Sequence, residues 1–215
     1  MLMLKFDEIL NDCDAIVFDF DGTLIDSEKH HLIAHNIILS ELLKREFVYT
    51  KEEFSKYMGR KDTVIFEEYK QIYNLDNSVD EMVERKTLIA RDLLLEKDVK
   101  IFDYFQKLLE IKGDKKFYIA SNQDERLLIP VMKEKGIFDK FEKIFCLSKM
   151  GVEKDYFYRN INEFISHDTA KNVAVFEDSE TVVKSIKDLG YIIFGVETNL
   201  NRNKLKPISS YTIAY

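Results

Sequence analysis

Five short apolar segments divide the chain into predicted strands and the stretches between them. They are rich in Val, Ile, Phe and Tyr: AIVFDF (15–20), KFYIAS (116–121), KIFCLS (143–148), NVAVFED (172–178) and YIIFGV (191–196). Several are apolar without alternation, which is typical of strands buried on both faces of a parallel sheet. Helical patterns lie between the later segments, at 124–135, 153–166 and 179–189. The alternation of strand and helix predicts a doubly wound α/β fold.

The region between the first two apolar segments has a different pattern. Residues 28 to about 98 contain no convincing strand and are rich in Leu, Ile, Glu and Lys. The pattern predicts helices at 28–45, 51–57, 62–73, 78–97 and, returning to the sheet, 100–111. Because a crossover between parallel strands needs only about a dozen residues, this stretch is several times too long for one. We therefore expect an all-helical cap at 28–98, inserted into a core formed by 1–27 and 99–215.

Composition limits the class of protein. The 215 residues are 46% hydrophobic, which is enough for a packed core and excludes a disordered chain. The net charge of -7 argues against a protein that grips nucleic acid. Two distant cysteines, Cys13 and Cys146, exclude a disulfide framework and a zinc module and fit a reducing compartment. With no signal peptide and no run of about 18 apolar residues, we expect a soluble cytoplasmic protein that does not bind membranes, with a monomer as the default.

Polar side chains follow three of the predicted strands. The groups are Asp19-Phe20-Asp21-Gly22-Thr23, Ser121-Asn122 and Glu177-Asp178-Ser179. In open parallel sheets, ligands bind beyond the carboxyl ends of the strands. Each group also has a simpler interpretation, since Asp-Gly is a common turn pair and serines commonly cap helices. All three groups at one edge of a sheet are harder to explain as turns and favour a functional site.

The residue types in these groups indicate phosphoryl chemistry. Asp19 and Asp21 could act as nucleophile and general acid/base. The converging carboxylates, which are Asp19, Asp21, Glu177 and Asp178, would repel one another without a cation, and ligands that are all oxygen favour magnesium. Such an ion would also offset the charge of an anionic substrate. Ser121 could hold a phosphoryl oxygen, and Lys154 or Lys149 could supply the remaining positive charge.

These motifs closely resemble those of the haloacid dehalogenase superfamily, from Ala15 to about Thr198. FDFDGTLIDSE (18–28) is similar to the first motif of the family, IASN (119–122) to the second and VFEDSETVVKSIKDLG (175–190) to the fourth. The resemblance implies a magnesium-dependent phosphotransferase with a Rossmann-like core and a mobile cap. The branch it points to is that of phosphatases and beta-phosphoglucomutase-like enzymes with an inserted helical cap.

The resemblance also implies residue roles. Asp19 would attack phosphorus and form an aspartyl-phosphate, while Asp21 would protonate the leaving oxygen and then activate water. Magnesium would be held by Asp19, the backbone carbonyl of Asp21 and Asp178, with Glu177 as a direct or indirect partner. Two further positions in the matched motifs, Gly22 and Asn122, are expected to contact substrate.

The third motif departs from the family pattern. Relatives place a proline soon after the catalytic lysine, whereas SKMGVEKDYFYRN (148–160) contains none. Because GVEK resembles the Gly-Val-Glu-Lys-Pro of some relatives, we expect Lys154 to be the catalytic lysine. Lys149 remains the competitor, and either residue could instead be an ordinary surface lysine.

Candidate substrate-binding residues also occur in the predicted cap. His31 lies twelve residues after Asp19, where many relatives with this cap carry a histidine. Arg60, in a Met58-Gly59-Arg60-Lys61 segment that resembles a glycine-centred cap loop, could grip a second anionic group. The alternatives are a solvated helix face for His30, His31 and His35, and a solvated arginine. A metal site from His31 and His35 is geometrically possible but has no other support in the sequence.

Several functions fit this pattern. The leading hypothesis is a phosphatase acting on a small phosphorylated metabolite. A beta-phosphoglucomutase-like sugar phosphomutase is the alternative, although Met58 replaces the lysine that normally precedes the glycine of the mutase loop. A dehalogenase fits less well, because those relatives lack the second aspartate that Asp21 provides. A catalytically idle binding module on the same fold is a further hypothesis, motivated by the altered third motif.

Overall fold

The computed structural model describes residues 6–57, 60–96, 99–166, 172–198, 201 and 203–214. The chain forms two compact units. One comprises residues 1–26, 100–123 and 137–215 and is called the sheet unit below; the other comprises 27–99 and 124–136 and is called the helical unit. Across the described residues, no helix combines the length and the apolar character needed to cross a membrane.

The sheet unit is built on a parallel sheet. Its strands, among the described residues, are β1 (Ala15–Phe18), β2 (Lys116–Ser121), β3 (Lys143–Cys146), β4 (Val173–Glu177), β5 (Ile192–Glu197) and β6 (Tyr211–Ala214). They are ordered β3-β2-β1-β4-β5-β6, and every neighbouring pair is parallel. The chain moves outward from β1 to β3 and then returns to the other side of β1 at β4. The strand order therefore reverses between β1 and β4, which is where ligands bind in open α/β sheets.

Helices account for most of the remaining described chain. They are α1 (Phe6–Ile9), α2 (Glu28–Leu43), α3 (Lys51–Phe54), α4 (Asp62–Tyr73), α5 (Val79–Leu94), α6 (Asp103–Glu110), α7 (Glu125–Glu134), α8 (Leu147–Met150), α9 (Lys154–Arg159) and α10 (Glu180–Ile186). Short 3-10 segments lie at Ser55–Tyr57, Phe138–Lys140 and Ile161–Glu163. The predicted helix at 153–166 is thus shorter than expected, because α9 ends before Asn160.

A row of four stacked rings crosses one face of the sheet. Its members, at level positions on β1, β4, β5 and β6, are Phe18, Phe176, Phe194 and Tyr211. Successive ring centroids are 5.0, 4.4 and 5.1 Å apart. Because side chains alternate between the two faces of a strand, a slip of one residue would turn every ring of a strand to the opposite face. The ring row, as we call this set, therefore favours a single register, in which the strand ends that follow Phe18 and Phe176 are level.

The opposite face of the sheet carries a second buried cluster. Val17, Val175 and Ile193 pack there with apolar residues of the segments that follow β3. Asp19 and Glu177 lie two residues beyond Val17 and Val175, so both carboxylates leave the sheet on this face. The two strands thereby present their acidic ends side by side.

The helical unit is held by packing between helices and by capping boxes. α2 packs against α5, and α5 packs against both α4 and α7. Capping boxes begin α3, through Thr50 and Glu53, and α5, through Ser78 and Glu81. In each box the hydroxyl and the carboxylate satisfy backbone N–H groups that would otherwise lack partners. Most of this unit comes from the stretch in which the sequence predicts helices and no strand.

The expected α/β fold class is confirmed, with a parallel Rossmann-like sheet and helices around it. The C-terminal tail forms the edge strand β6. The segment 124–136, which the predicted boundaries assign to the core, belongs to the helical unit because the buried residues of α7 pack against α5. The division into a core at 1–27 and 99–215 and a cap at 28–98 stays a prediction.

Candidate active site

Lys154 is shared between two carboxylates at the carboxyl edge of the sheet. Its Nζ lies 2.8 Å from Asp19 Oδ2 and 2.7 Å from Glu177 Oε2. The three residues are 6%, 9% and 0% exposed, respectively. Asp19 directly follows β1, Glu177 ends β4 and Lys154 is the first residue of α9. The trio therefore lies at the reversal point of the strand order.

Burial and charge act against each other in this trio. Burial, together with the smaller effects of the charges of Glu177 and Asp21, raises the pKa of Asp19 to about 7, although Lys154 opposes the increase. For Lys154, burial lowers the pKa, but the charges of Asp19 and Glu177 outweigh it and leave the pKa above its ordinary value. The ammonium therefore stays charged, and it favours the ionised form of Asp19.

Glu177 is fixed at both oxygens. Oε2 forms the ion pair with Lys154, and Oε1 accepts a hydrogen bond from the backbone N–H of Ser179 at 3.0 Å. The Ser179 hydroxyl in turn accepts from the N–H of Val182 and caps α10. The carboxylate is thus oriented by the helix start that follows it.

Asp178 packs closely against the turn after β1. Thr23 Oγ1 donates a hydrogen bond to Asp178 Oδ1 at 3.2 Å. Gly22 has a φ of 68°, and a Cβ at this position would overlap Asp178 Oδ2. Glycine is therefore required here both by the left-handed backbone and by the close approach of the carboxylate.

Three carboxylates form a cluster suited to a cation. Asp19, Glu177 and Asp178 each offer an oxygen, and these oxygens lie within 4.8 Å of one another. A set made only of oxygen donors fits magnesium. Asp21 is half-buried in the same turn, and its charge contributes to the raised pKa of Asp19. The predicted ligation by the backbone carbonyl of Asp21 stays a prediction.

Ser121 and Asn122 lie at the end of the neighbouring strand β2. The buried Ser121 Oγ accepts a hydrogen bond from the N–H of Gln123 at 3.1 Å. The Ser148 hydroxyl donates to the carbonyl of Asn122 at 2.5 Å. Within the described part of the chain, Asn122 Oδ1 is buried and has no hydrogen-bond partner. The Ser121 hydroxyl and the Asn122 side-chain amide are thus two polar groups at the end of β2, on the same edge of the sheet as Asp19 and Glu177.

The two candidate lysines differ in their environment. Lys149 is exposed on the short helix α8, whereas Lys154 is buried against Asp19 and Glu177. Lys154 is the first residue of α9 and contacts both carboxylates from that position. It does so although the segment lacks the proline of the family pattern. Of the two lysines, the geometry therefore places Lys154 against Asp19.

Two of the histidines, His31 and His35, belong to a buried polar network in the helical unit. Lys86 Nζ lies 3.1 Å from His31 Nδ1 and donates to Asp62 Oδ2 at 2.8 Å. His35 Nε2 lies 3.5 Å from Asp62 Oδ1, and its Nδ1 lies 3.3 Å from the Tyr69 hydroxyl. The structure buries all three histidines rather than placing them on a solvated helix face. The sequence analysis missed Lys86 and Asp62, because they lie 24 residues apart and neither is part of a recognisable motif.

Arg60 contacts Glu68 and Tyr57 inside the helical unit. Its Nη2 donates to Glu68 Oε2 at 2.8 Å, and its guanidinium lies 5.5 Å from the centre of the Tyr57 ring. Met58 and Gly59, two other residues of the predicted loop, lie outside the described residues. The predicted contacts of His31 and Arg60 with substrate stay predictions.

The sequence matches the model of a known protein family over most of its length. The family model for haloacid dehalogenase-like hydrolases matches residues 16–164, which is more than half of the chain. No curated protein matches the sequence.

Several solved structures have a similar fold. CbbY from Rhodobacter sphaeroides, in complex with phosphate, has a TM-score of 0.76 at 16% identity over 94% of this chain and 93% of that one. A predicted phosphoglycolate phosphatase from Haemophilus somnus 129PT gives 0.70 at 15% identity over 93% of each chain. YfnB from Bacillus subtilis, bound to magnesium, gives 0.71 at 17% identity over 94% of each. At these identities the likeness shows the fold.

Removal of the Lys154 charge should destabilise the protein. Lys154→Met leaves Asp19 and Glu177 buried without their shared cation, so we expect the free energy of unfolding to fall by about 3–5 kcal/mol. The matched control, Lys149→Met, alters an exposed lysine and should change it by about 0.5 kcal/mol or less. Urea unfolding in EDTA measures both variants. Equal effects of the two substitutions would contradict the role of Lys154 as the buried cation shared by Asp19 and Glu177.

The buried His35 should make the protein sensitive to acid. Burial lowers the pKa of His35 to about 4, whereas an unfolded histidine titrates near 6.5. Between these values the unfolded chain binds a proton that the folded chain does not. The free energy of unfolding should therefore fall as the pH drops below about 6.5, by up to about 1.4 kcal/mol per pH unit.

The control for this effect is His35→Gln, which keeps an N–H donor but cannot titrate. Urea unfolding followed by circular dichroism from pH 7 to 4.5 should give a shallower pH dependence for the variant than for the wild type. Identical slopes would show that another group carries the acid sensitivity.

Proposed function

The chain belongs to the haloacid dehalogenase-like hydrolase family, and we propose that it is a magnesium-dependent phosphatase. Its substrate would be a small phosphorylated metabolite, hydrolysed through an aspartyl-phosphate intermediate. The observation that carries the proposal is the buried Lys154, paired with Asp19 and Glu177 beside the carboxylate of Asp178. This arrangement combines a nucleophile, a fixed positive charge and a set of oxygen donors for a cation.

The first half-reaction would use Asp19 as nucleophile. A carboxylate oxygen of Asp19 attacks phosphorus, and the bond from phosphorus to the ester oxygen breaks. Asp21 gives its proton to that leaving oxygen, which departs as an alcohol. Lys154 supports this step in two ways, because its charge favours the ionised form of Asp19 against the effect of burial and because the ion pair fixes the orientation of Oδ2.

The second half-reaction would release phosphate. Asp21, now ionised, takes a proton from a water molecule as the water oxygen attacks the phosphorus of the aspartyl-phosphate. The bond between phosphorus and the Asp19 oxygen breaks, and the Asp19 carboxylate is regenerated. Asp21 returns to its protonated form, so the cycle closes.

Asp19 and Asp178 would hold the magnesium ion, together with the backbone carbonyl of Asp21. Glu177 supports them indirectly in this proposal, because its two oxygens already contact Lys154 and the Ser179 N–H. When bound, magnesium offsets the charge of the carboxylates and of the phosphoryl group. YfnB, with the same fold, binds magnesium, which supports this choice of cation.

The remaining predicted residues would bind the substrate. Ser121 and Asn122 are proposed to donate hydrogen bonds to phosphoryl oxygens, and Gly22 to keep the turn beside Asp178 open. His31 and Arg60 are proposed to contact the leaving group. CbbY binds phosphate and, in a mutant form, xylulose-1,5-bisphosphate, which supports a phosphorylated metabolite as the class of substrate.

The nucleophile assignment is tested by Asp19→Asn. Hydrolysis of an aryl phosphate should require magnesium, stop in EDTA and fall at least roughly a thousand-fold in the variant, because an amide is a poor nucleophile. Asp139→Asn changes an exposed aspartate of the same unit and should leave the rate unchanged. A rate in Asp19→Asn equal to that of the wild type would overturn the proposal.

A sugar phosphomutase is the alternative, favoured by one observation. His31 is buried and contacts Lys86. A defined environment of this kind fits the cap histidine that beta-phosphoglucomutase-like relatives carry at the corresponding position. A mutase would interconvert a hexose 1-phosphate and 6-phosphate in the presence of a bisphosphate activator. Release of inorganic phosphate without interconversion would exclude this activity.

A further inference from the structure

We propose that Asn201 is a positioning residue that holds Asp178 in the orientation required for cation binding. The inference rests on the proposed role of Asp178 as a magnesium ligand. Asn201 lies after β5, beyond the residues 16–164 matched by the family model and outside the motifs that carry the resemblance.

The side chain of Asn201 joins two strand ends through three hydrogen bonds. Its Nδ2 donates to the carbonyl oxygen of Asp178 at 2.7 Å and to that of Val196 at 3.2 Å. Its Oδ1 accepts from the backbone N–H of Thr198 at 2.7 Å. Both ends of the amide are therefore used, and all three partners are backbone groups.

These contacts connect the segments that follow the last paired residues of β4 and β5. The paired positions of β4 and β5 end at Glu177 and Gly195. Asp178, one residue further, has left the strand and precedes the start of α10. The amide of Asn201 replaces the missing strand neighbour at this point and restrains the backbone that carries the Asp178 carboxylate.

The carboxylate of Asp178 has little room to reorient by itself. Thr23 donates to Oδ1, and Gly22 leaves space for Oδ2 only because it lacks a Cβ. A small rotation of the Asp178 backbone would therefore move the carboxylate against Gly22 or away from Thr23. Asn201 holds the backbone carbonyl of Asp178, whereas Thr23 and Gly22 contact its carboxylate. The two sets of contacts therefore fix Asp178 together.

The chemistry of these contacts requires an amide. An aspartate at this position would keep an acceptor for the Thr198 N–H, but it would lose the donor and bring a negative charge to two carbonyl oxygens. Alanine would remove all three bonds. Partners that orient metal ligands change metal affinity by about 10–100-fold when they are removed.

The experiment measures magnesium binding directly by isothermal titration calorimetry on the full chain. Asn201→Ala is expected to weaken magnesium affinity about ten-fold, with the same shift in the magnesium concentration that half-activates aryl phosphate hydrolysis. At saturating magnesium, kcat should return close to that of the wild type. Asn11→Ala, which changes an exposed asparagine of the same unit, is the matched control and should leave the affinity unchanged.

The outcomes separate positioning from a purely structural role. A lower melting temperature in EDTA with unchanged magnesium affinity would show that Asn201 only stabilises the fold, and would overturn the proposal. If Asn201→Ala does not fold, Asn201→Asp keeps the acceptor and tests the lost donor, with the same weakening expected. Unchanged affinity in that variant overturns the proposal as well.

Failure of the proposed function is distinguishable from failure of this inference. A wild-type protein that binds magnesium without hydrolysing any phosphate ester refutes the phosphatase, whereas weaker binding in Asn201→Ala still supports the positioning role. Hydrolysis by the wild type together with unchanged affinity in both variants refutes only the positioning role. A wild type that binds no magnesium overturns the inference.

Discussion

A single ammonium group, that of Lys154, forms ion pairs with two buried carboxylates at the ends of neighbouring strands. Without this ammonium, Asp19 and Glu177 would be two neighbouring buried carboxylates with no positive partner, and the removal of such charges from water costs several kcal/mol per ion. The trio also links α9 to the ends of β1 and β4. The site and the local fold thus depend on the same electrostatic contact.

The register of β1 and β4 places the two carboxylates of the trio side by side. The ring row aligns Phe18 with Phe176, so the acidic residues that follow them are level, and both face the buried cluster beneath α9. Asp178 then meets the turn at Gly22, while Asn201 ties the end of β4 to that of β5. Packing of apolar rings on one face therefore determines where charged groups meet on the other.

The sequence allowed the sheet and its acidic edge to be predicted, because both depend on local pattern. The strand at 116–121 and the helix at 62–73 occur with the expected bounds, since continuous apolar runs and helical spacing are properties of neighbouring residues. The network of Lys86 and Asp62, the packing of α7 with the helical unit and the bonds of Asn201 depend on residues distant in the chain. Lys149 and Lys154 differ chiefly in burial, which the sequence does not contain.

The buried ionic trio has a consequence for how this protein can change over generations. Apolar residues of similar volume at all three positions would give a sheet unit as stable or more stable, whereas loss of the lysine alone leaves two buried carboxylates uncompensated. A duplicated gene released from selection for activity would therefore pass through its least stable form when only the lysine codon has changed. A descendant without activity is therefore expected to have lost one of the acids before the lysine, or together with it.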